Sequence, residues 1–447
     1  MARKQTARFV CNNCGAQYSA WAGRCSNCGE WNTIQEEVEL VGTSKNHAGR
    51  VLKAVSSKDV KSKDTAVRIP AGIGDVDNVL GGGFVPGGIT LIAGQPGIGK
   101  STLLLQIAAL VAAKKTVLYV SGEESAHQIG LRAERLGVAD SRLDLATSTS
   151  ADDVASTIAS KKYDVVFVDS IQTMSVNSVA SSAGSVSQIT NSTHLIMAAA
   201  KQSDTAVVLV GHVTKEGSIA GPKILEHVVD VVLNLEGDRY GGFKLLRSVK
   251  NRFGSTNEAG IFEMKNEGLV QVENPSASLL AERQESDGSV VLATMEGMRP
   301  VLVEVQALVN KTSYGYPKRA ASGIDLNRVN LLVAMLERRT KLNLADQDIY
   351  INIVGGIRIS EPAADLAICM AIGSAAKGLQ LKGNAVVFGE VGLSGEVRRV
   401  NFADKRIAEA KKLGFDTVIG PKIPGKTDKL LKPVTNIKDA LNTYLKK

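Results

Sequence analysis

Residues Gly94, Gln95, Pro96, Gly97, Ile98, Gly99, Lys100, Ser101 and Thr102 follow the pattern G-x-x-x-x-G-K-[ST]. Such a run can cradle nucleotide phosphates. Its glycines let backbone N–H groups wrap a β-phosphate, Lys100 can reach the β- and γ-phosphates, and Ser101 is of the type that ligates Mg²⁺. Phosphoryl transfer to water also needs a carboxylate near the metal and a base. Asp169 closes one apolar run, and Glu123 and Glu124 follow another. Asp169 fits the metal role, with a plain strand-end cap as the alternative; the sequence does not choose between Glu123 and Glu124 as base. A second chemistry lies at the amino-terminal end. Cys11-x2-Cys14 and Cys25-x2-Cys28 are ten residues apart. Paired C-x-x-C knuckles read as a tetrahedral Zn²⁺ site, and four thiolates leave no open position for catalysis. Ten residues cannot bury a core, so the metal must supply the folding energy. Cys369, in an apolar run, reads as an inert buried thiol.

These groups need elements to carry them. Residues 89–93 form an apolar, β-branched run before the glycine loop, and a helical apolar stretch follows it. Further strand-like runs fall at 116–120, 164–168, 206–210 and 230–235. The spacing predicts an α/β core with the carboxylates just past strand ends, where open α/β sheets bind ligands. Residues 172–193 and 212–222 read as long, mobile polar loops. The second carries Lys215, a candidate DNA contact, and begins at His212, either functional or a satisfied strand-end histidine.

The chain has 447 residues, enough for two to four domains. It is 44% hydrophobic but only 4% aromatic, so its cores rest on Val, Ile, Leu and Ala. No apolar run approaches the ~18 residues that would span a bilayer, and residues 1–8 lack the apolar centre of a signal peptide. A soluble, cytoplasmic protein without a membrane partner is expected. The net charge of +8 is uneven: 13 Lys/Arg face 6 Asp/Glu over residues 391–447, and 11 face 6 over residues 1–70. Phosphate binding and a solvated lysine face are both open readings of that excess.

The four-cysteine module, the glycine loop, Ser121-Gly-Glu-Glu-Ser125 and Lys250-Asn-Arg252-Phe-Gly254 together resemble the bacterial RadA (Sms) family over the whole chain. The resemblance implies a RecA-like P-loop ATPase core, an N-terminal four-cysteine zinc module and a C-terminal Lon-protease-like α/β domain. Boundaries are expected at 1–35 (zinc module), 36–67 (linker), 68–273 (ATPase) and 274–447 (Lon-like). It further implies ATP, Mg²⁺ and Zn²⁺ as cofactors and a homo-oligomeric ring, a hexamer, on single-stranded and branched DNA. Such a motor would process recombination intermediates with the recombinase RecA as partner. It marks Glu123 as the water-activating residue, and Lys250 and Arg252 as functional. From spacing alone these two share one side of a strand end over 244–249 and could probe a phosphate, contact DNA or be solvated.

Residues 301–309, 331–338 and 349–354 read as strand, amphipathic helix and strand of the Lon-like region. In Lon a serine and a later lysine form the catalytic dyad; the matching positions here are Ala363 and Asp404. Neither can supply a nucleophile activated by a lysine, so peptide hydrolysis is not expected. A scaffold for ring assembly and DNA contact is expected instead, through Arg398, Arg399, Lys405, Arg406, Lys411 and Lys412. An ATP-dependent Lon-like protease and a KaiC-like signalling ATPase are the competing readings. The first lacks the dyad, and the second leaves the zinc module and basic ends unexplained.

Overall fold

Runs of Val, Ile and Leu set between polar turns build the strands that carry these groups. The structure is a computed structural model describing residues 8–11, 16–18, 20–31, 33–37, 68–212, 224–237, 242–313, 315–425 and 428–446. Strands β1 (Arg8–Cys11), β2 (Gln17–Tyr18) and β3 (Ile34–Glu37) form an antiparallel sheet ordered β2-β1-β3. Cys25 and Ile34 are buried in this module.

The second sheet has nine strands: β4 (Ile89–Gly94), β5 (Val117–Ser121), β6 (Leu143–Thr147), β7 (Val165–Asp169), β8 (Ala206–His212), β9 (Val231–Gly237), β10 (Phe243–Asn251), β11 (Ala259–Lys265) and β12 (Gly268–Gln271). Their order is β12-β11-β10-β9-β4-β8-β7-β5-β6. Strands β4 to β9 run parallel, and β10 to β12 return as antiparallel hairpins. The connecting helices are α1 (Gly74–Leu80), α2 (Lys100–Ala112), α3 (Ala126–Arg135), α4 (Ala151–Ala159), α5 (Val186–Ser203) and α6 (Ile224–Val228). Apolar residues of α2 and α3 fill one face of the sheet, and those of α4, α5 and α6 fill the other. The sheet is therefore covered on both sides, which is why its parallel strands are apolar throughout.

Residues 172–193, expected as a mobile loop, are ordered differently. Their second half belongs to α5, opened by Ser185, whose hydroxyl accepts from Gln188 N–H. The Gln188 amide is buried and donates to the carbonyls of Val179 and Ser181, while accepting from Val176 N–H. The polar composition that suggested a loop instead supplies the hydrogen bonds that fix it.

The carboxyl-terminal region comprises α7 (Pro275–Leu280), β13 (Ser289–Glu296), β14 (Arg299–Lys311), β15 (Arg319–Ser322), α8 (Leu326–Thr340), β16 (Gln347–Ile353), α9 (Asp365–Lys377), β17 (Gln380–Leu381), β18 (Ala385–Val387), β19 (Glu390–Val391), β20 (Val397–Arg398), α10 (Ala403–Lys412), β21 (Thr417–Pro421) and β22 (Leu431–Val434). Its seven-stranded sheet is ordered β15-β16-β14-β13-β18-β21-β22. Phe243 and Leu245 of β10 and Ile261 of β11 belong to the same apolar core as this second sheet. Ionic contacts reinforce that seam: Arg247 pairs with Glu296, and Arg299 with Asp75 of α1 at 3.1 Å. Among the described residues no helix is long and apolar enough to cross a membrane.

Asp75 is buried, and besides Arg299 it accepts from Ile261 N–H and the Gln271 amide. Arg299→Ala would leave that carboxylate short of its charged partner, at a cost of roughly 1–3 kcal/mol. Chemical denaturation should show a lowered midpoint; an unchanged midpoint would remove this pair from the account of the seam.

Candidate nucleotide site and zinc module

The loop after β4 is shaped by its glycines. Gly97 has φ +78° and nothing within 4 Å of where a side chain would start, so the loop opens onto free space. Gly99, at φ +113°, caps α2 without any side-chain hydrogen bond to the helix's first turn. The first N–H groups of α2 therefore point outward uncapped, the donor set an anionic phosphate requires. Gln95, Pro96 and Gly97 are exposed, Ser101 and Thr102 half-buried, and Ile98 is packed into the core.

Lys100 is buried, and its ammonium donates to the carbonyls of Gly94 at 2.8 Å and Gln95 at 3.0 Å. Burial pushes its pKa down to about 8, opposed by the charges of Asp169 and Glu123. All three groups thus converge on the carboxyl edge of the sheet. Asp169 ends β7 level with Ser121 of β5 and accepts from the Tyr119 hydroxyl at 2.7 Å. Burial first, then the Asp169 charge, holds that hydroxyl well above its ordinary pKa, so it remains a donor. The two glutamates separate. Glu123 accepts from the Ser170 hydroxyl at 2.6 Å, beside the end of β7, whereas Glu124 is ion-paired with Arg132 of α3. The backbone N–H groups of both bond the Ser121 hydroxyl, which sets the turn that parts them.

Two neighbours of this edge carry no recognisable motif. Tyr119 looked like one more strand residue. Gln172, three residues past Asp169, has both amide atoms buried with no hydrogen-bond partner, and a side chain at Gly211 would lie 3.7 Å from its Nε2. Set between Ile171 and Thr173 in a mixed polar and apolar turn, it carries no sequence signal of its own. Lys215 lies outside the described residues, and of His212 only the backbone, at the end of β8, is described.

In the amino-terminal module, Cys25 and Cys28 flank a tight turn closed by Gly29 N–H to the Cys25 carbonyl at 2.8 Å. The Tyr18 hydroxyl lies 3.0 Å from the Cys25 sulfur. That contact, with backbone N–H groups of the knuckle, lowers the Cys25 pKa to about 6 against the opposing effect of burial. A thiolate-favouring knuckle fits a zinc ligand. Cys14 and the side chain of Cys11 fall outside the described residues.

Family models match three stretches: an "AAA domain" over residues 59–218, a "Rubredoxin metal binding domain" over 9–36 and "Subunit ChlI of Mg-chelatase" over 324–423. The DNA repair protein RadA of Listeria monocytogenes is 49% identical over 424 residues, 94% of this chain and 93% of that one. The RadA of Bacillus subtilis is 46% identical over 457 residues, 99% of each chain, and that of Brucella abortus 48% over 425, 92% and 91%. The chain belongs to the RadA family of DNA repair proteins. Its fold is the family's: a RecA-like P-loop core, an amino-terminal zinc ribbon and a Lon-like carboxyl-terminal domain.

The RadA-family run 250–254 sits at the other edge of the sheet. β10 returns antiparallel to β9, so Lys250 is level with Val232 and Asn251 with Val231, while the glycine loop is level with Leu235. From Gly94 back to Ile89, where Arg252 lies, is roughly 16 Å along the strands. The two cations do reach the same neighbour. Lys250 donates to the carbonyls of Glu226, His227 and Val229 at the end of α6, and Arg252 pairs with buried Asp230 at 3.1 Å. A bulge between Ser248 and Lys250 permits this.

In this RadA-family chain the Lon-like site offers no nucleophile at Ala363, whose methyl is buried. Glu361 beside it is clasped by Arg406, Thr294 and Met295 N–H. Arg406, expected among surface cations, is instead fully buried as that carboxylate's partner. Lys405 donates to the Met298 carbonyl. Arg398 is exposed and paired with Glu396; it lines a shallow surface cavity with Arg399 and Lys422.

An ammonium with a pKa of about 8 must be protonated to hold a phosphate. ATP affinity should therefore be flat below about pH 7 and fall above about pH 8, with binding at pH 9 taking up roughly nine-tenths of a proton. Calorimetry in buffers of different ionisation enthalpy measures that uptake; Lys100→Arg should abolish it. No proton uptake at pH 9 would contradict the buried, depressed lysine.

Proposed function

We propose that this P-loop ATPase is a DNA-dependent motor that processes recombination intermediates by branch migration, working as a hexameric ring on single-stranded and branched DNA beside the recombinase RecA. The observation that carries the reading is the two-edged sheet. The phosphate cradle and carboxylates occupy one edge, and Lys250 and Arg252 are fixed at the other, out of reach of their own nucleotide. In a head-to-tail ring, one subunit's cation edge can meet the next subunit's cradle, so hydrolysis waits on assembly.

The backbone N–H groups of 97–102 hold the phosphates and Lys100 exchanges its loop carbonyls for phosphate oxygens. Mg²⁺ brought by ATP would be held by Ser101 and, at the metal's outer side, Asp169, and would neutralise charge on the phosphates. Glu123, placed by Ser170, takes the proton of the attacking water; Glu124, engaged by Arg132, does not. Tyr119 keeps Asp169 oriented, and Gln172 brings an unspent amide to the same edge. Lys250 and Arg252 serve the neighbour's γ-phosphate, where a cation in trans is commonly worth 10³–10⁵ in rate. Residues 1–35 act as a zinc-held module on a 36–67 linker, 68–273 as the motor, and 274–447 as a rigid scaffold with DNA contacts at Arg398 and Arg399; Lys215 contacts DNA from the motor. The burial of Ala363 and of the Glu361–Arg406 pair supports a scaffold over a protease.

ATP turnover measured with and without single-stranded DNA across a salt series tests this. Stimulation by DNA should be strong at low salt and fall steeply as salt rises. Turnover that ignores DNA but responds to unfolded casein, with casein cleavage, would replace the motor with a protease.

A further inference from the structure

The chain contains two tryptophans, and both lie on the zinc module. Trp21 is 60% exposed and Trp31 68%. A chain so poor in aromatics thus forgoes burying its two largest apolar side chains, and presents them together. Gly23 sits between them: a Cβ there would lie 3.7 Å from Cη2 of Trp21 and 3.8 Å from Cζ3 of Trp31, so both indoles crowd one glycine. Trp31 forms an antiparallel bridge with Arg24, whose guanidinium carbon lies 5.7 Å from the indole centroid. Arg24 in turn donates from Nε to the Gly29 carbonyl at 2.8 Å. The indoles and the guanidinium are therefore pinned to the Cys25–Cys28 knuckle. Over residues 20–31, where both indoles lie, the charged residues are Arg24 and Glu30, and Arg24 is the one placed against an indole.

From this we infer that Trp21 and Trp31 form a stacking platform for the unpaired bases of single-stranded DNA, with Arg24 beside it for the backbone. Two neighbouring π-faces with an adjacent cation match what sequence-tolerant single-strand binders use: every base has a face to stack, and the phosphates need a positive neighbour. A peptide offers the indoles few flat faces, whereas every base of a single strand supplies one. The inference rests on the DNA reading above and deepens it: the zinc module touches the strand itself, ahead of the motor.

The two indoles are the chain's own reporters. Zinc-loaded, full-length protein is titrated with fluorescein-labelled oligo-dT and, separately, with an abasic phosphodiester of the same length. Binding is read by anisotropy and stacking by tryptophan emission with unlabelled strands. Oligo-dT should quench the emission severalfold more than the abasic strand at equal saturation. Trp21→Ala and Trp31→Ala, checked for retained zinc, should each weaken oligo-dT binding about 10-fold, the size of one lost base stack, and leave abasic binding unchanged. Binding of oligo-dT with no change in emission, or equal quenching by the abasic strand, would overturn the platform while leaving the DNA reading intact. No anisotropy change with either strand would overturn both.

Discussion

The direction of β4 governs the molecule. Its six residues, Ile89–Gly94, are all buried, with parallel neighbours β8 and β9 on either side. A parallel sheet has polarity, and every loop that leaves its carboxyl edge can converge on one ligand. The glycine loop, the Ser121–Glu124 turn and the Asp169–Ser170 end of β7 all leave there. The amino end of β4 is tied just as firmly: Asp230 accepts from Ile89 N–H and pairs with Arg252. One buried strand thus joins the glycine loop at one end to the Asp230–Arg252 pair at the other.

Burial supplies the chemistry of the cradle. Lys100 loses much of its hydration inside the protein, and the nearby carboxylates restore only part of that stabilisation. Its loop carbonyls hold it meanwhile, so the ammonium is poised and weakly committed when phosphate arrives. The glutamates show how local hydrogen bonds separate adjacent, chemically equal residues. Ser121 fixes the turn, Ser170 holds Glu123 beside the end of β7, and Arg132 holds Glu124 against α3. The shared core of Phe243, Leu245 and Ile261 with the second sheet makes any shift of β10 a shift of the Lon-like domain too.

Much of this was legible in the sequence because the signals are local. The glycine loop, the acidic ends of apolar runs and the cysteine knuckles each occupy a few consecutive residues, and the fold class followed from their spacing. What was not legible depends on residues far apart. Spacing put Lys250 and Arg252 on one side of a strand, but not at which edge, because that depends on β10 reversing direction against β9. Gln188 and Arg406 read as surface polar groups, since their partners, the carbonyls after Met174 and the Glu361 carboxylate, become neighbours only on folding. Tyr119 and Gln172 lacked any pattern at all: one is an ordinary strand residue, the other a lone amide in a turn.

The central claim is that hydrolysis is completed across a subunit boundary, and mixed rings test it most directly. Lys100→Ala chains keep Lys250 but cannot hold phosphate; Lys250→Ala chains keep the cradle but lack the cation. Each should be inactive alone. Mixed in rings shown to co-assemble, they should regain part of the ATPase activity, peaking near equal proportions. Co-assembled rings with no recovery would contradict the account and leave Lys250 as a clasp for α6 within its own chain.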